Sequence, residues 1–271
     1  MTVDEIHFNH DPTSSSSDAL NIRVNGSGAP IVAPEWTNGG PSRPAAYAAS
    51  ALGSTVTIKA KFSGGPANKN VKVRALDAYV PPSQTGCLGV LISIIAAILR
   101  GLFGNVLGEV DERQVNFDGA GNSTPETFEL INHKLKTAGV GARTTEWKWQ
   151  YRSHGQWHTF ANTKHRIYLV VDVPAGPWTQ TVNDTQLPWT DALDKACAWA
   201  HGAITKDEAA ARITKAINAR PPQSYTPATL FGFYDYYLTS YMTALDAGAP
   251  FQLNCTDCAN AVTTFANLLG C

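Results

Sequence analysis

The sequence predicts an α+β protein: an N-terminal antiparallel β-sandwich carrying an apolar helical insertion, then a helical region. Three observations predict this. Short segments of alternating polarity, punctuated by turn residues, run from Ser54 to about Val173. Beyond Pro174-Ala175-Gly176-Pro177-Trp178 the apolar period changes from that of a strand to that of a helix. Between the strands, Cys87 to Leu99 is apolar throughout. The division expected is a sandwich domain over 1–175, with the insertion near 87–108, and a helical subdomain over 188–271.

Residues 11–28 read as a loop, with room for a short strand over Ala19–Val24. Ser54–Phe62 places Val56, Ile58, Ala60 and Phe62 on one face, the pattern of a half-buried strand. Val71–Ala75, Gln114–Phe117, Thr127–Ile131, Glu146–Tyr151 and Arg166–Val173 repeat it. Gly64-Gly65-Pro66, Asp118-Gly119-Ala120-Gly121-Asn122 and Ser153-His154-Gly155 supply the turns. So many short strands with such punctuation argue for an antiparallel sandwich. Trp147, Trp149 and Tyr151 share one strand face, with Trp157 across the hairpin. That could be a sugar-binding platform; core filling by large aromatics is the better reading.

In the apolar insertion, Ile92, Ile95, Ala96 and Leu99 recur at helical spacing. A spanning helix needs about 20 apolar residues, and Arg100 interrupts any window that long. The segment therefore reads as a buried helix, with membrane contact or an oligomer interface as the alternatives.

The helical region opens with Thr190 as N-cap of Asp191–His201, which ends at Gly202. Thr205 caps Lys206–Ala219, with Asp207 and Glu208 suited to the first turn. Residues 230–246 make an aromatic-rich third helix. The fourth runs from Cys255 with Ala259, Val262, Phe265, Ala266 and Leu269 on one face, and Gly270 stops it.

A chain of 271 residues with 44% apolar and 16% charged residues can bury two cores. Its net charge of −1 offers no footprint for nucleic acid. Five cysteines are too few and too uneven for a disulfide scaffold, and point to a reducing compartment. Met1 to Asn21 is polar and Ser-rich, without the apolar core of a signal peptide. Nothing in the pattern calls for a cofactor.

The candidate chemistry centres on Cys255. A cysteine in the first turn of a helix meets free N–H groups and the positive end of the dipole, which favour the thiolate. Cys255-Thr256-Asp257-Cys258-Ala259, followed by a small and apolar helix ending in Leu269-Gly270, resembles the nucleophile helix of the transglutaminase-like superfamily. The resemblance covers about 188–271 and implies papain-like Cys-His-Asp chemistry: amide acyl transfer or hydrolysis on a protein or peptide substrate. In that superfamily the histidine and acidic residue follow the nucleophile helix. Here the sequence ends one residue after Gly270, so the resemblance implies the helical half of such a domain, truncated before its base and inactive alone.

Asp257 is explained by the helix dipole and is not assigned to a triad, and Cys258 reads as a packing cysteine. A rival chemistry is a zinc site from Cys255, Cys258, Cys197 and His201. Burial of Cys197 in an apolar helix explains it without metal, and no metal is assigned. Cys255–Cys258 or Cys258–Cys271 disulfides are weaker rivals. An upstream base could come only from His154, His158 and His165 near the hairpin, or from the scattered His7, His10 and His133. A function of another class is also consistent with the sequence: a non-catalytic binding or assembly module acting through the sandwich and the apolar segment.

Overall fold

A computed structural model describes residues 1–11, 13–14, 16–78, 105–179, 186–219, 226–232, 236–248 and 252–271. The expected helix at Cys87–Leu99 lies outside the described residues. Among the described residues nine strands are present: β1 (Thr2–His7), β2 (Trp36–Thr37), β3 (Ala45–Ala48), β4 (Thr57–Ser63), β5 (Asn70–Asp77), β6 (Glu109–Asn116), β7 (Glu126–Ile131), β8 (Gly141–Ser153) and β9 (Gln156–Val170). Four short helices follow: α1 (Thr190–Trp199), α2 (Lys206–Asn218), α3 (Leu238–Ala247) and α4 (Cys255–Leu268).

The strands form one sheet in the order β2-β1-β4-β7-β6-β5-β8-β9-β3, curled into a half-barrel. This corrects the expected α+β arrangement of an antiparallel sandwich followed by a helix-dominated part. The chain is mostly sheet, and the sheet is mixed, because β3 runs parallel to β9. The physical reason lies in one short ladder. β6 and β7 pair only at Glu109↔Ile131 and Val110↔Leu130, yet that seam joins what would otherwise be two sheets. Alternation reports one buried face per strand, and a curled sheet buries its concave face as a sandwich buries its inner ones.

The concave face is filled by Ile58, Ala60 and Phe62 of β4, Val73 and Ala75 of β5, Phe128 of β7, and Trp147 and Trp149 of β8. The tryptophans are core, as the better reading had it. Trp147 donates to the Gly108 carbonyl at 2.9 Å and Trp149 to Thr163 Oγ1 at 3.0 Å. β8 and β9 form one long hairpin, whose turn residues His154 and Gly155 both have positive φ (49° and 80°). That backbone matches the twist of the flanking strands, and glycine adopts it freely.

The end of β9 is buried on both sides. Ile167 and Leu169 face the concave core, while Tyr168 and Val170 join a second core with the helices, Ala46 and Ala48. Leu20 and Ile22, from the Ala19–Val24 stretch allowed a short strand within the expected loop, and Ile31 beyond it belong to this second core too. Arg23 donates its backbone N–H to Pro188 at 2.9 Å and accepts from Thr190 N–H at 3.0 Å.

The helix starts follow local chemistry. Thr205 caps α2 by accepting from Glu208 N–H at 3.2 Å. Thr190 does not cap α1: its hydroxyl donates to the Val24 carbonyl, and Trp189 holds the N-cap position without a side-chain bond. The third helix starts at Leu238 instead of 230, because Leu230 and Phe231 turn their N–H groups to Asp257. At the far end of α4, Gly270 has φ 81°, and a Cβ there would lie 2.5 Å from the Asp172 backbone. The Val171 and Asp172 N–H groups both bond the Leu269 carbonyl at 3.1 Å, so α4 is stitched by its C-terminus to the chain leaving β9.

Candidate functional site

Cys255 is the first residue of α4, exposed and free. A reciprocal cap builds that helix start. Asn254 accepts from the Asp257 N–H at 2.9 Å, and the Asp257 carboxylate accepts from the Asn254 N–H at 3.3 Å. Asp257, fully buried, also accepts from Leu230 N–H at 3.2 Å and Phe231 N–H at 3.0 Å. One carboxylate thus holds the helix start and the 230–231 segment together. Its oxygens are occupied by backbone donors, in keeping with a structural role.

The other described cysteines are placed as packing residues. Burial pushes the Cys197 thiol up to about 12, and its Sγ lies 3.8 Å from the Leu169 carbonyl. Burial, then Asp257 and Cys255, raise the Cys258 thiol as well. A raised thiol is a poor nucleophile. Cys271 donates to the Lys206 carbonyl at 3.3 Å. Cys197, Cys255, Cys258 and Cys271 are all free, so neither rival disulfide is formed.

His201 contacts Arg143 at 2.8 Å, and burial followed by Arg143 and Arg212 lowers its pKa. Among the described residues no group of three or more His, Cys, Asp and Glu side chains could hold a metal, so the four candidate zinc ligands are not brought together.

Among the described residues no histidine hydrogen-bonds Cys255. His154 contacts Ser153, His158 packs against Tyr151, and His165 lies inside the curl on Thr163 Oγ1 at 2.8 Å. Burial pushes His165 down to about 3, so it is a neutral core side chain at ordinary pH. His7 and His10 line the β1–β4 edge, and His133 follows β7.

A groove of about 770 Å³ runs between α1 and α3, lined by Trp189, Asp191, Asp194, Lys195, Trp199 and Asp246 among others. Lys195 and Asp246 pair across it. Asp194 is held by Arg166 and by the Tyr168 hydroxyl at 2.6 Å. Sequence reasoning missed this groove. Its one sequence-level signal is the i, i+3, i+7 spacing of Asp191, Asp194 and Ala198 on α1 against Thr239, Met242 and Asp246 on α3. No family model matches the chain, and no curated protein matches it.

Proposed function

We propose that the helical layer is a transglutaminase-like cysteine module, with Cys255 as the nucleophile for acyl transfer or hydrolysis at an amide of a protein or peptide. The observation that carries this reading is the exposed, free thiol at the first residue of a doubly capped helix. N–H groups at a helix start are placed to stabilise an oxyanion. The reaction also needs a proton carrier, and no described histidine is bonded to the thiol. General acid–base help contributes about 10²–10⁴-fold, so these residues alone give a thiol without a working catalyst.

The test is site-resolved alkylation with iodoacetamide alongside turnover of glutamine-donor and peptide substrates. Cys255 reacts first in the wild type and in Cys258→Ala, and the label is lost in Cys255→Ala. Wild type and Cys255→Ala turn over substrate at the same rate. An inert Cys255 beside a reactive Cys258 removes the assignment; cysteine-dependent turnover shows that a base does reach it.

A second reading, a non-catalytic binding module, is favoured by the groove between α1 and α3, large enough for a small molecule or a few peptide residues. The apolar Cys87–Leu99 segment proposed for partner or membrane contact lies outside the described residues. Among those described, no helix is long and apolar enough to cross a membrane.

A further inference from the structure

The convex face of the β1–β4 ladder carries a small cleft lined by a lysine, two histidines and a row of apolar residues. Two cross-strand pairs lie there, Glu5↔Lys61 and His7↔Lys59. The Glu5 carboxylate serves both ends of the first pair and reaches into the second: it accepts from Lys61 at 3.3 Å and contacts His7 Nε2 at 3.2 Å. The side chain of Lys59, directly across from His7, has no ion pair or hydrogen bond among the described residues. The neighbouring carboxylates are engaged elsewhere. Asp18 accepts the His10 and Asp11 N–H groups, Glu35 the Phe8 and Asn9 N–H groups, and Asp11 the Thr13 hydroxyl.

Lys59 is half-buried, at a cleft of about 350 Å³. Asp11, held below the usual carboxylate range first by its Thr13 hydrogen bonds and more weakly by His10 and Lys59, feels this ammonium but forms no ion pair with it. The lining is largely apolar, with Pro30, Ile31, Val32, Ala33, Pro125 and Leu187, and also holds the amides of Asn9 and Asn21. Val32 is among the exposed large apolar residues, at 54%. His7 and His10 flank the lysine, and His10 Nε2 is already paired with Thr57 Oγ1 at 2.9 Å. A cation without an ion pair, in a cleft lined largely by apolar residues, selects a ligand with an anionic and an apolar half. The volume is at the small end of the roughly 300–1,000 Å³ typical of small-molecule sites.

We propose that this cleft binds a small organic acid, its carboxylate against Lys59 Nζ and its apolar body against Ile31, Val32 and Pro125. The inference is independent of the cysteine reading, because no residue of the cleft belongs to α4.

Isothermal titration of the whole chain with sodium octanoate tests it, with octan-1-ol and inorganic phosphate as the apolar and anionic halves alone. Octanoate binds saturably at one site per chain. Lys59→Gln weakens it roughly 10-fold or more, as expected for loss of a charged hydrogen-bond partner. Val32→Asp, at an exposed position, weakens it too, and Lys61→Gln leaves it unchanged. Circular dichroism confirms that each variant is folded. Absence of saturable binding, or unchanged affinity in Lys59→Gln, overturns the proposal. So does octan-1-ol binding as tightly as octanoate, which would mark an apolar patch only, or phosphate doing so, which would mark a bare anion site.

Discussion

The two cores that meet at β9 are built from different materials. Inside the curl, a few large rings fill the space: Phe62 sits 5.5 Å and Phe128 6.0 Å from Trp149, which lies 6.0 Å from Trp147, all edge-to-face. On the helical side buried alanines are more frequent, set among leucines, isoleucines and a few aromatic rings. Ala192, Ala196 and Ala200 of the α1 region, Ala209 of α2 and Ala261 of α4 are all fully buried. A wide concave sheet leaves a volume only large side chains can fill, whereas helices lying on a sheet and on each other approach closely where side chains are small. The two cores should therefore fail in opposite ways, one by emptying and the other by crowding.

The largest effect expected is Trp149→Ala. Trp149 is fully buried, touches three aromatic rings and donates to Thr163 Oγ1. Its removal should cost about 3–5 kcal/mol by cavity formation, measured by urea unfolding. A loss under about 1 kcal/mol would mean that the curl collapses around the gap and is not held open by its rings.

Crowding is the complementary test. Ala261→Leu puts a larger side chain into the fully buried face of α4, and overpacking of this kind costs about 1–3 kcal/mol. The same enlargement at exposed Ala259 should be nearly silent, and that contrast is the sharper readout. If Ala261→Leu were neutral, the helical layer would be looser than its alanines imply.

How far the sequence carries depends on which of these two cores is read. Strand existence from Ser54 onward was legible, because Val56, Ile58, Ala60 and Phe62 alternate over a turn-bounded run. Closure of those strands into one curled sheet was not, since it rests on the two-residue seam between β6 and β7. β1 was hidden by its charge: Thr2–His7 carries Asp4 and Glu5, and only Val3 and Ile6 are buried. β3, Ala45–Ala48, is buried on both faces and so shows no alternation. At the candidate site the helix start at Cys255 was legible from its spacing and from Gly270. The carboxylate of Asp257 reaching back to 230–231 was not, because a cap seen in sequence is local and this one also closes a 27-residue span.

The smallest effect expected concerns two buried carboxylates, and its pH dependence distinguishes it from simple packing. After β1, the N–H groups of Phe8 and Asn9 go to Glu35, and those of His10 and Asp11 to Asp18. Burial outweighs these hydrogen bonds and pushes both acids up to about 7, with Asp11 and Glu35 adding to the rise at Asp18. The sign then follows. In the unfolded chain these groups ionise near pH 4, so between about pH 4 and 7 the folded state holds more protons. Their stabilising contribution is complete below about pH 4 and is lost as pH rises through 7. His165, pushed down to about 3, works the other way: its contribution is present above about pH 6.5 and is lost as pH falls. Asp18→Asn separates them. The amide oxygen can still accept from His10 and Asp11, the amide nitrogen replaces an oxygen that has no partner, and nothing titrates. The stability of Asp18→Asn relative to wild type should therefore rise between pH 5 and 8 by about 1–3 kcal/mol, one pKa unit being about 1.4 kcal/mol. Urea unfolding at both pH values checks it. A difference that stays constant across that range would mean that Asp18 is ionised throughout and that its four-donor bracket with Glu35 is a pair of ordinary anionic caps.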